Sequence, residues 1–236
     1  SKEDAVVKTG IVNWTSWMSN ETLYGYSGVE PYIMIASELY NKIDNNDFRK
    51  LSFKAPATNP LSGSEPYIDE SLFEKFPTYA SLKFRPGEGN VEDYSVGSAC
   101  AYPIMRYEEM FFIAAEAAAR LGDAGTAKTI LTKVMSTRNS NYSCKASTPE
   151  DVAEEVFLQK RIEFFGEGIT FFDYKRLNKS VDRTSSTNWD ATENFKTEGR
   201  PAWMVWTIPY SEGSQNHALE DYMNPDPSGL YVPVAK

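Results

Sequence analysis

The chain has 236 residues, enough for one large domain or a small pair and for a core that needs no dense disulfides or metals. Apolar residues make up 41%, the net charge is −9 and the isoelectric point is near 4.8. This excludes a disordered chain and, with no Lys/Arg cluster interleaved with aromatics, a nucleic-acid binder.

No run approaches the ~20 apolar residues of a membrane helix. The opening SKEDAVVKTG lacks the basic and apolar regions of a signal peptide, so either the chain is not exported or its signal has been removed. Residues 1–100 are rich in turns and aromatics. Trp14, Trp17, Asn20, Tyr24 and Tyr26 cluster there, and helical spacing of apolar residues follows over 31–43. Pro and Gly mark loops over 55–66 and 86–97.

The clearest predicted helix covers 104–121, with Tyr107, Met110, Phe111, Ala114, Ala118 and Leu121 as its apolar stripe. Gly122 stops it, and Asp123 caps a second helix over 124–138 whose apolar face is Ala127, Ile130, Leu131 and Val134. So short a link makes an antiparallel pair, the size of one tetratricopeptide unit. That geometry brings Cys100 and Cys144 to one end of the hairpin. They would form a disulfide in an oxidising environment; two separate thiols are the alternative. A third helix starts at Thr148 with Pro149 in its first turn and runs to about residue 165. The expected parts are 1–100, loop- and aromatic-rich; 101–177, the helical core; and 178–236, a polar loop and tail with a short strand over 203–209. The fold class is mostly α, with tetratricopeptide-like hairpins, long irregular loops and little β.

Four segments, RYEEMFFIAAEAAARLGD (106–123), QKRIEFFGEGITFFDYKRL (159–177), IPYSEGSQN (208–216) followed by Asn224 and Pro225, and LYVPV (230–234), occur in an order that resembles the C-terminal region of the SusD/RagB family of outer-membrane nutrient-binding lipoproteins. The second is the most specific. It departs from the family at Gly166 before Glu167, where an apolar or aromatic residue is usual, and at Gln159 and Lys160, where an acidic-basic pair is usual. The resemblance implies a lipid-anchored protein on the outer face of the outer membrane. It implies delivery of oligosaccharides to a SusC-type TonB-dependent transporter. Family members are about twice as long, so an N-terminal half carrying the lipid anchor is expected as a further partner.

Glu163, Glu167 and Asp173, with Arg161 and Arg176, read either as the acid and base of a glycoside hydrolase or as a buried ion-pair network. Flanking phenylalanines favour the network. Glu116, alone among apolar residues, needs a partner, and Arg106, Arg138 and Arg161 are the candidates. His217 is the one histidine, too few for a zinc site or a His-based triad, so no metal and no cofactor are expected. The oxygen-rich turn at 44–47 lacks EF-hand spacing and reads as a helix-terminating turn, with Asp47 and Arg49 as a local ion pair. Sugars stack on flat rings and bond amides and acids. That places a ligand site at Trp14, Trp17, Asn20, Tyr24 and Tyr26, or at Asn188 and Trp189. The function expected is non-catalytic glycan binding. A tetratricopeptide-type scaffold that binds protein and no sugar is the alternative, with a hydrolase behind both.

Overall fold

The computed structural model describes residues 5–8, 33–56, 77–81, 83, 101–223 and 233–234. The early aromatic cluster (Trp14, Trp17, Asn20, Tyr24, Tyr26), the loops over 57–66 and 86–97 and Cys100 lie outside the described residues. Cys144 is a half-buried free thiol. The chain divides into two compact units, Ser1–Glu167 and Gly168–Lys236.

The first unit opens with β1 (Ala5–Lys8), which pairs antiparallel with β2 (Ala101–Met105) from Ala5↔Met105 to Lys8↔Ala101. Helix α1 (Ser37–Asn41) is shorter than the sequence periodicity suggests. Residues 33–36 are extended instead, and Met34 bridges Ala80. Ile35, Leu39, Tyr40 and Ile43 still share one face and form a core cluster with Phe53 and Ile162. Phe53 meets Phe165 edge to face at 5.1 Å.

Helix α2 (Tyr107–Arg120) begins three residues after the expected start. Pro103 forces its predecessor to be extended, and pairing with β1 keeps the segment in strand form as far as Met105. The buried stripe also differs from the expected one. Phe112, Ala115, Glu116 and Ala119 face inward, where small side chains let the helix backbones approach. Tyr107, Met110 and Leu121 are exposed.

Leu121 closes α2 in a Schellman motif: Asp123 N–H donates to Ala118 O at 2.9 Å and Gly122 N–H to Ala119 O at 2.9 Å. Gly122 supplies the left-handed φ of +89° that the motif requires. Asp123 then caps α3 (Ala124–Met135), its Oδ1 accepting from Thr126 N–H at 2.9 Å. Ala127, Leu131 and Val134 are buried as the sequence indicates, with Met135 beside them. Helix α4 (Pro149–Glu163) starts at the expected cap, where Thr148 Oγ1 accepts from Asp151 N–H at 3.1 Å. The three helices pack against one another, with Phe112 of α2 edge-on to Phe164 at 5.5 Å.

The second unit contains α5 (Ile169–Arg176), a short antiparallel pair of β3 (Lys196–Thr197) with β4 (Pro233–Val234), and α6 (Tyr210–Gln215). The segment 178–201 is not a bare loop. Val181 N–H donates to Thr197 Oγ1 at 2.9 Å, that hydroxyl donates to Gly199 O at 2.7 Å, and Asp182 bridges Lys196. The strand expected over 203–209 is replaced by a 3-10 turn, Ala202–Met204. Pro201 presets its entry with φ −59°.

Candidate functional site

Two constellations stand out, one in each unit. In the first, Glu163 at the end of α4 is 4% exposed. Its Oε1 accepts from Arg106 and, at 2.9 Å, from Arg138; its Oε2 accepts from Arg49 at 3.1 Å and Arg138 at 3.2 Å. Arg49 also grips Asp47 at 2.5 Å and Gln159 at 2.6 Å, so the expected Asp47–Arg49 pair belongs to a larger network. Arg138 reaches Glu108 at 2.9 Å. Glu167 takes Lys83 at 2.5 Å and Arg106 at 2.7 Å.

Four cations (Arg49, Lys83, Arg106, Arg138) therefore face four carboxylates (Asp47, Glu108, Glu163, Glu167). Burial opposes the charge on Glu163, but the hydrogen bonds from Arg138 and the charges of Arg49, Arg138 and Arg106 outweigh it. The carboxyl is held down to about 2. Burial pushes the Lys83 ammonium down, with Glu167 opposing. A carboxylate so depressed and so fully bonded is neither a proton donor nor an open base near neutral pH. Its bonds tie the 48–52 turn, the start of α2, the end of α3 and the end of α4 to one point.

The ion pairs differ from the expected ones. Arg161 is paired with Glu38 at 3.7 Å, whereas Glu163 is surrounded by Arg49, Arg106 and Arg138. Asp173 and Arg176 bond each other at 2.6 Å in the second unit. Glu116 is buried and meets Arg120 at 2.7 Å and Lys160 at 3.8 Å, neither of them among the expected partners Arg106, Arg138 and Arg161. Arg120 lies one helical turn on, the cheapest place to find a counter-charge. The role of Arg49 in holding Glu163 carried no sequence signal beyond its neighbour Asp47. Lys83 carried none.

The second constellation is aromatic. Trp189 is half-buried, with the Arg183 guanidinium 3.9 Å from its ring centroid. The same guanidinium lies 4.6 Å from the Phe195 centroid, and Phe195 meets Trp203 edge-on at 5.7 Å. Asn188, beside Trp189, is half-buried. One face of the Trp189 ring is therefore taken by a cation, while Trp203 is 50% and Trp206 87% exposed. Both tryptophans lie in the segment that the sequence reading placed in a strand. A W-x-x-W spacing near prolines was the available signal. His217 is exposed. Among the described residues no group of three His, Cys, Asp or Glu is placed to hold a metal, and no helix is long and apolar enough to cross a membrane.

The sequence pattern of the SusD family matches residues 16–226. Three solved structures share the fold. A SusD superfamily protein from Bacteroides vulgatus ATCC 8482 aligns with TM-score 0.65 at 18% identity, over 94% of this chain and 45% of that one. A SusD-like carbohydrate binding protein from the same organism aligns with TM-score 0.59 at 19% identity, over 85% and 43%. A SusD superfamily protein from Bacteroides thetaiotaomicron VPI-5482 aligns with TM-score 0.52 at 23% identity, over 80% and 39%. The chain thus spans less than half the length of these relatives. No curated protein matches it. A family match over residues 16–226 of 236, on a helical hairpin scaffold, places this chain in the SusD family.

Proposed function

We propose that the chain is a non-catalytic glycan-binding component of a nutrient-uptake system. The observation that carries this reading is the pair of exposed tryptophans, Trp203 and Trp206, in a chain of the SusD family, one of whose structural relatives is described as carbohydrate binding. A large apolar ring left in water is a natural platform for the C–H face of a sugar. Ligand contacts at Trp14, Trp17, Asn20, Tyr24 and Tyr26 and, separately, at Asn188 and Trp189 belong to the same proposal. A net charge of −9 favours neutral oligosaccharides over acidic ones. The wider role is an outer-membrane lipoprotein held at the cell surface, passing its glycan to a SusC-type TonB-dependent transporter.

Hydrolysis is disfavoured because Glu163 is fully engaged by arginines and its carboxyl is held low. A protein contact has an observation of its own: Met110, Ile113 and Leu121 of the α2 segment are exposed, Leu121 by 86%. Such a stripe suits a helix of the expected N-terminal half.

Titration of intrinsic tryptophan fluorescence with neutral oligosaccharides tests the main reading. Saturable quenching is expected, with no new reducing ends after prolonged incubation. Release of shorter sugars would instead establish a hydrolase.

A further inference from the structure

We propose that the first unit holds a second, polar binding pocket for one hexose-sized polyol, formed where residues 139–145 meet the turn after α1 and the middle of α4. The cavity measures about 300 Å³, at the small end of ligand sites. Ile43 and Leu158 give it apolar surface for a C–H face, and polar side chains form most of the remaining wall.

Two groups in that wall are built and unused. Asn139 is 4% exposed. Its Oδ1 accepts from Asn141 N–H at 2.9 Å, and its Nδ2 donates to no described residue. An amide donor with no described partner, in the wall of a cavity, can bond a ligand hydroxyl. Glu155 commits Oε1 to Tyr142 Oη at 2.8 Å and to Gln159 Nε2 at 2.9 Å. Its Oε2 takes no hydrogen bond from a described residue. Burial, with the charge of Glu155, pushes the Tyr142 phenol up, so this hydroxyl stays a donor fixed on Oε1 and leaves Oε2 to a ligand.

The wall thus offers a donor and an acceptor. Adjacent hydroxyls, each able to give and to accept, answer both. The ligand class rests on reading the chain as a glycan binder. The place does not, since it lies in the first unit and shares no residue with the tryptophan surface.

The test is a titration of the isotope-labelled full chain with glucose, galactose, mannose and, as a zwitterionic control, glycine, following the amide signals of Asn139 and Asn141. One of the sugars should move them saturably. Glu155→Gln should weaken that sugar about tenfold, the loss of one charged hydrogen bond, and Trp206→Ala should leave it unchanged. If Glu155→Gln does not fold, Asn141→Ala at the exposed rim should give a weakening of the same sign. Movement with glycine alone, or no movement while oligosaccharide still quenches the tryptophans, overturns the pocket and leaves the glycan reading standing. Pocket binding with no tryptophan response would do the reverse.

Discussion

Glu163 shows how one residue can fix the arrangement of several elements. Three guanidinium groups meet its carboxylate, and its backbone carbonyl accepts from Lys83 at 2.8 Å. Removing one partner of such a group is costly because the others are left charged and buried. Glu163→Ala should therefore cost roughly 3–5 kcal/mol in urea unfolding. The group also sets a pH dependence. Its folded carboxyl is held down to about 2, while the unfolded one sits near 4.3. The folded state binds fewer protons, so the contribution is complete above the unfolded value and disappears as pH falls toward about 2. Its size is on the order of 3 kcal/mol. Urea midpoints measured from pH 7 down to pH 2 should fall less steeply in Glu163→Gln than in the wild type. Parallel curves would show that other carboxylates govern acid unfolding.

The helices of the first unit are defined most sharply at their ends. Gly122 has φ +89° and nothing within 4 Å of an added Cβ, so Gly122→Ala adds backbone strain without a clash. A loss of about 1 kcal/mol is expected from denaturation curves. Thr148→Ala removes the cap of α4 and should also cost about 1 kcal/mol. These ends were legible in the sequence because capping is local: Asp123, Thr148 and Pro149 act on backbone groups within three residues. The start of α2 was not, because the strand that displaces it pairs with residues almost a hundred positions earlier. The inward face of α2 was misread for a related reason. Periodicity finds two apolar stripes, and the buried one, Phe112, Ala115, Glu116 and Ala119, is chosen by packing against other helices, which local spacing does not encode.

At the scale of the molecule, the family and the helical scaffold could be read from ordered motifs, with the segment 159–177 the most informative. The candidate site was harder. Trp189 looked like a sugar platform because it sits in a polar stretch, but Arg183 occupies one of its faces. Only the fold reveals that Trp203 and Trp206 stay in water. The most direct measurement is a glycan-array screen of the chain beside its Trp203→Ala, Trp206→Ala variant. The account predicts binding of the wild type to neutral oligosaccharides and at least about a tenfold loss in the variant. Equal binding by both proteins would contradict the proposed surface, and no binding by the wild type to any glycan would contradict the function itself.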